Sequence, residues 1–248
     1  MGLIIGSELK KFQIGYPTVS DKYNAYGATL TGPANVEFGA LLKKTSVVHR
    51  YEAFVATDTV AVSDIAGIAL ATNVKLASTY PAAAVVTMPG EVLSVLRSGN
   101  VAIKLDNTRS TVGDITVGGQ VYFTKKGAKY CTEPRLAAGA KTLTVASYAS
   151  KVLTIDETLT ADDQAALVGR TIIVTHGTTS EAMTIASAAA STITVLAAPT
   201  MTPAEGDVIS AGDVAALAIN GRKALFTGLY ENHGTTANPV YVAEIVLG

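Results

Sequence analysis

From Val36 to Glu133 apolar and polar residues alternate over short runs; they do not recur every three or four positions. The runs "EFGALLKK", "YEAFVAT", "VSDIAGIALAT", "AAVVTM", "EVLSVLRSG", "NVAIKL", "QVYFTKKG" and "AKYCTE" are rich in Val, Ile, Thr, Tyr and Phe, with Gly, Asn, Asp and Pro between them. A period of two places alternate side chains on opposite faces of a strand. Many short strands separated by turn residues predict a sandwich or a barrel. In "EVLSVLR", Val92, Ser94 and Leu96 point one way and Leu93, Val95 and Arg97 the other; beyond it Val101, Ile103 and Leu105 share a face. The stretch reads as a hairpin opened by Pro89-Gly90 and turned at Arg97-Ser98-Gly99-Asn100; a phosphate or sugar held by Arg97 is the competing reading, disfavoured because no phosphate cradle surrounds the arginine. "GQVYFTKKGAKYC" predicts a second hairpin, with Lys125, Lys126 and Gly127 at its tip. Helical character is confined to "TADDQAALVG" (160–169), where Thr160 can cap a first turn that carries acidic residues.

Three other regions have their own texture. Residues 1–35 show no sustained period, and "GYPTVSDKYNAYGATLTGPAN" sets Tyr16, Tyr23 and Tyr26 among Gly, Pro, Ser and Asn. Tyrosine supplies large amphipathic contact area where partners meet. The segment therefore predicts an extended N-terminal arm ordered on a neighbour, with a loop folded over its own domain as the competing reading. Residues 136–213 are nearly free of aromatics and contain an internal repeat. "TLTVASYASKVLTID" (142–156) aligns without a gap on "AMTIASAAASTITVL" (182–196), and the two copies continue to "GRTIIV" (169–174) and "GDVISA" (206–211). Strand, turn, strand, loop, strand is thus one unit used twice. After Asp213 the earlier pattern returns, with strands near "KALFTGLY" and "VYVAEIVL" and an Asn220-Gly221 turn signal. The expectation is an all-β chain: an arm over 1–35, and a compact β-barrel or sandwich domain from 36–135 plus 214–248. A small β domain of two repeats (142–174 and 182–211) is inserted between them at 136–213. Insertion at a surface turn leaves strand pairing on either side intact.

Charge narrows the partners. Nineteen basic and twenty acidic residues give a net charge of −1, and only 16% of residues are charged, against about 25% in ordinary domains. No global basic field exists to attract nucleic acid, and the weakly charged surface suits a protein that hides much of itself against neighbours. The start, "MGLIIGSELKKFQIGYP", places its lysines after the apolar patch, unlike a secretory signal. No apolar run reaches the ~20 residues of a membrane helix. The expectation is a chain made in the cytoplasm, with neither a nucleic-acid nor a membrane partner.

Candidate chemistry is sparse. Cys131 is the single cysteine, which excludes an intrachain disulfide and a Cys-based zinc site. It reads as a small apolar residue at a strand end, since a catalytic thiol needs a histidine partner. His49, His176 and His233 stand far apart, without metal-ligand spacing; "HGTT" at 176–179 recurs at 233–236, which two turns explain as well as a shared ligand. Asp162, Asp163 and Glu157 lack the spacing of a calcium loop, and helix N-terminal charge explains them better. There is no GxSxG, P-loop or dinucleotide fingerprint. Paired glycosidase carboxylates are not visible in one sequence, but sugar clefts are usually lined with Trp and the chain has none. Lys125, Lys126 and Lys129 read as a solvated hairpin end, or as a contact for an acidic partner surface. The chain is thus expected to be no enzyme, with no cofactor and no metal.

The order of motifs adds a resemblance. Gly15-Tyr16-Pro17 is followed by Val36, Phe38, Gly39 and Leu42, and then by Ala66-Gly67-Ile68-Ala69-Leu70. Next come Pro89-Gly90-Glu91 running to Gly99, Val101 and Ile103, then Gly118 to Tyr122, and a terminal "VAEIVL" strand. Residues 1–133 and 214–248 in this order resemble the capsid cement, or head decoration, proteins of tailed bacteriophages; the 136–213 module departs from the compact members. The resemblance implies a non-enzymatic virion protein on the outer face of the capsid. It would sit there as a homotrimer, bridging neighbouring copies of the major capsid protein. Tyr16, Pro17, Tyr23, Tyr26, Lys125 and Lys126 are the expected capsid or subunit contacts, and removing residues 1–30 is expected to abolish capsid binding while the β domain stays folded. Two other readings stand beside it: a tail or head-fibre adaptor, and a carbohydrate-binding surface module.

Overall fold

A computed structural model describes residues 14, 15, 17, 24–71, 86, 87, 89–132, 135–137 and 140–248. The chain is all-β and divides into two compact units, 1–132 with 216–248, and 133–215.

In the first unit the strands are β1 (Asn24–Leu30), β2 (Val36–Glu37), β3 (Leu41–Lys44), β4 (Arg50–Ala53) and β5 (Ile65–Leu70). β6 (Val86–Thr87), β7 (Val92–Lys104), β8 (Tyr122–Thr124) and β9 (Tyr130–Cys131) follow. Five of them close a ring in the order β1-β4-β3-β5-β7, because β1 pairs parallel with β4 and antiparallel with β7. Ala28, Leu30, Leu42, Ala69, Leu93 and Val95 fill its core. Closing the ring removes sheet edges that would otherwise invite pairing with other chains.

Two expectations change here. Residues 97–100 do not reverse the chain: β7 runs unbroken from Val92 to Lys104. Its first half pairs with β1 and β5 and its second half with the last strand, so the alternation on either side of Gly99 serves two different sheets. Gly99 supplies a kink, at φ +110°, in a region that a residue bearing Cβ rarely enters. Within the expected arm, Asn24–Leu30 is a strand of the ring, so removing residues 1–30 would take out one of five walls and could not leave this domain intact. The remainder of the arm, apart from residues 14, 15, 17 and 31–35, lies outside the described residues.

The second unit holds β10 (Leu143–Ala149), β11 (Val152–Ile155), helix α1 (Ala161–Leu167), β12 (Thr171–His176), β13 (Thr179–Ala189), β14 (Thr192–Val195) and β15 (Val208–Ala211). These six strands close a second barrel, β10-β11-β14-β13-β12-β15. Its pairing repeats itself. Val145 faces Ile155 and Ser147 faces Thr154 across a bulge, and residues forty further on do the same: Ile185 faces Val195 and Ser187 faces Thr194. Exchanging β10 with β13, β11 with β14 and β12 with β15 leaves the strand order unchanged. Inward positions carry medium aliphatic side chains throughout, with Leu143, Val145, Leu153 and Ile155 matched by Met183, Ile185, Ile193 and Val195. That supply fills a small barrel, with Tyr148 alone among the described aromatics packed against it. Thr160 caps α1, accepting from the Asp163 amide while the Asp163 carboxylate accepts from the Thr160 amide.

β16 (Val214–Ala216) precedes β17 (Ala218–Ile219), β18 (Arg222–Asn232) and β19 (Tyr241–Leu247). Asn220 and Gly221, at φ +52° and +79°, make the tight turn from β17 to β18. β18 pairs with β19, and β19 returns to the second half of β7.

Candidate interaction surfaces

The first candidate is the root of the N-terminal segment. The Gly15 amide donates to the Ala102 carbonyl (2.8 Å) and the Gly15 carbonyl accepts from the Ala71 amide (2.9 Å), while Pro17 bridges Val101 of β7. Gly39 donates to the Ala69 carbonyl beside it, at 2.7 Å. Gly15 and Gly39 both have φ +78°, and a Cβ on Gly15 would stand 2.6 Å from the Gly39 nitrogen, while one on Gly39 would stand 2.8 Å from Ile14 Cγ2. Two glycines are required because two backbones cross in contact. Ile14 packs on Ala102 and Val242. The chain is thereby fixed at Ile14, Gly15 and Pro17. Tyr16 and Tyr23, expected contact residues, lie outside the described residues.

Tyr26 lies on the first half of β7's partner strand β1, opposite Val95, whereas Pro17 meets the second half of β7. It packs partly buried against the barrel core with Tyr51. The two hydroxyls are 2.6 Å apart, and the Tyr26 ring meets His49 and Tyr51 edge-on at 5.5 and 6.1 Å between centroids. Arg97 lays its guanidinium 3.9 Å from the ring centre. Burial and the hydrogen bond to Tyr51 push the Tyr26 phenol up to about 12, against the opposing pull of Arg97. Sequence spacing does not mark the grouping of His49, Tyr51 and Arg97 on Tyr26, since the first two come from β4 and the residue before it and Arg97 comes from β7.

Lys125 and Lys126 do cap the β8–β9 hairpin, in which Tyr122 faces Cys131 and Phe123 faces Tyr130. Its tip is tied by main chain: the Val60 amide donates to the Lys125 carbonyl, the Gly127 amide to the Asp58 carbonyl, and Lys126 bridges Thr59. The Thr124 hydroxyl accepts from the Lys129 amide and donates to the Lys126 carbonyl. Lys126 is exposed and Lys125 half-buried.

Elsewhere, polar side chains act as fasteners. His176 Nδ1 meets Asp207 at 2.7 Å, and Arg170 grips Asp213 with two nitrogens at 3.0 and 3.2 Å while donating to the Arg135 carbonyl. In the aligned copies "GRTIIV" and "GDVISA", Arg170 and Asp207 hold the same place, so two matching buried sites carry opposite charge. The first "HGTT" turns β12 into β13, and the second lies in the loop between β18 and β19, where the His233 amide donates to the Val240 carbonyl. Cys131 is buried. The Tyr130 hydroxyl is buried without a hydrogen-bond partner among the described residues, and burial holds its phenol well above the usual range. Among the described residues no three His, Cys, Asp or Glu side chains gather as a metal site, and no helix is long and apolar enough to cross a membrane.

Compared with known proteins, the chain matches no family model, and no characterised protein matches its sequence.

Proposed function

We propose that this chain is a structural virion protein that binds the outer face of a tailed-bacteriophage capsid and cements the shell, as a trimer bridging neighbouring major capsid proteins. The observation that carries the reading is a convergence. Four of the motifs that resemble the cement proteins, widely separated in sequence, meet at one knot: Gly15 and Pro17, Gly39, Ala69, and Val101 with Ala102. The motifs thus describe one structural device, a clamp at the root of the N-terminal segment. A clamped root gives that segment a defined starting point from which to reach a neighbour, and lowers the ordering cost of binding there.

Cementing needs no active site. A protein that binds only the assembled lattice stabilises it by mass action, and many copies make each modest contact count. The test is co-sedimentation with expanded, undecorated capsids, comparing the full chain with one lacking residues 1–13. That truncation, unlike one at residue 30, spares β1 and the Gly15 clamp. Full-length chain is expected to pellet with capsids to saturation and the truncated chain to remain in solution. Equal binding by both would remove the N-terminal segment from the mechanism. Absence of binding by the full chain would overturn the proposal.

A further inference from the structure

Arg97 sits where the register of β7 slips. Ala25 of β1 faces Leu96 and Asn24 faces Ser98, so Arg97 is the residue passed over, a β-bulge. Bulges re-aim side chains and gather beside functional sites. Here the bulge places the guanidinium over the Tyr26 ring, its carbon 3.9 Å from the ring centre. Among the described residues the ion pairs lie elsewhere, and Arg97 has no carboxylate partner. Its surroundings add donors. The two phenols of Tyr26 and Tyr51 carry two O–H hydrogens between them, and their 2.6 Å contact uses one. The other is not used by that contact. His49, exposed and edge-on to Tyr26, completes the group.

We propose that this end of the five-strand barrel is a receptor for a carboxylate on a partner polypeptide, an Asp or Glu side chain, gripped by the Arg97 fork. Stacking holds the guanidinium in place before the ligand arrives, and its planar fork matches a carboxylate in a way that a lysine cannot. A sugar ring would need the Tyr26 face, which Arg97 covers. The Tyr26 phenol stays neutral far above physiological pH, so it places no competing negative charge beside the guanidinium. The proposal goes beyond capsid cementing and does not depend on it, since it concerns the isolated barrel.

The experiment is an NMR titration of the full, nitrogen-15-labelled chain with acetyl-Gly-Glu-Glu-Gly-amide, with its Gln counterpart and with trigalacturonate. The Arg97 Nε–H and His49 signals are expected to move saturably with the Glu peptide alone, and less as salt rises. R97Q and R97K are each expected to weaken binding at least about tenfold while the amide spectrum of the barrel stays in place. Equal binding of the Gln peptide, undiminished binding by R97Q, or no binding of the Glu peptide would overturn the proposal. Trigalacturonate binding in preference to the peptide would overturn the polypeptide source.

Discussion

Gly67 offers a sharp test of the barrel's packing. It lies in the middle of β5, whose six residues are all buried, opposite Leu42 of β3. A Cβ built there would come within 2.4 Å of Val95 Cγ1 and 2.9 Å of the Leu96 carbonyl oxygen. Neither can move aside cheaply. Leu96 is held in the ladder opposite Ile68, and Val95 is a stiff, β-branched side chain inside the closed core. Gly67→Ala therefore overpacks the seam, at a cost of about 2 kcal/mol. Val95→Ala alone costs on the order of 2 kcal/mol through lost burial and a cavity. In the double variant the first clash disappears, so the combined loss should fall short of the sum by about 1 kcal/mol. Urea unfolding followed by tyrosine fluorescence reads this unit selectively, because only Tyr148 of the ten tyrosines lies in 133–215. The midpoint of Gly67→Ala should drop by roughly 1 M. An unchanged midpoint, or strict additivity in the double variant, would refute the packing argument.

Three further outcomes concern the inserted barrel. Asp213→Ala strands the Arg170 guanidinium, whose side chain is only 6% exposed; amide hydrogen exchange in β12 and β13 should report a loss of about 3–5 kcal/mol, and Arg170→Met with Asp213→Leu should recover most of it. Burial raises the Asp207 carboxyl, but hydrogen bonds from the Ala204 amide and His176 outweigh it and hold the group below its ordinary 3.8. Its contribution is thus complete above that value and is lost as pH falls through the depressed folded one. The stability gap between the native chain and Asp207→Asn, followed by exchange or melting from neutral pH downward, should narrow only below 3.8, and a gap constant into acid would contradict this. Lys151 turns β10 into β11 at φ +73°, so Lys151→Gly should stabilise the barrel by about 1 kcal/mol, and no gain in thermal midpoint would mean that the turn is unstrained.

Local chemistry was legible wherever neighbours in sequence are neighbours in space. The β8–β9 hairpin, the Asn220-Gly221 turn and the Thr160 cap each follow from a few adjacent residues, and each is present. What failed was decided at long range. "RSGN" contains good turn residues, and nothing within it tells a reversal from a bulge at Arg97 followed by a kink at Gly99. The choice is made by β1 and β5 on one half of β7 and by β19 on the other. β1 itself was hidden among glycines and tyrosines, because its parallel partner β4 lies some twenty residues on. The same pairing brings Tyr26 to His49 and Tyr51, so Tyr26 was visible as an interaction residue while its grouping with His49, Tyr51 and Arg97 was not.

Whether the chain cements an assembled shell is read from electron cryo-microscopy of expanded, undecorated capsids incubated with the purified chain. Saturable density is expected at threefold or quasi-threefold positions on the outer surface, bridging neighbouring capsid subunits. Bare capsids after incubation, or sixfold rings of this chain at a tail or portal instead, would contradict it.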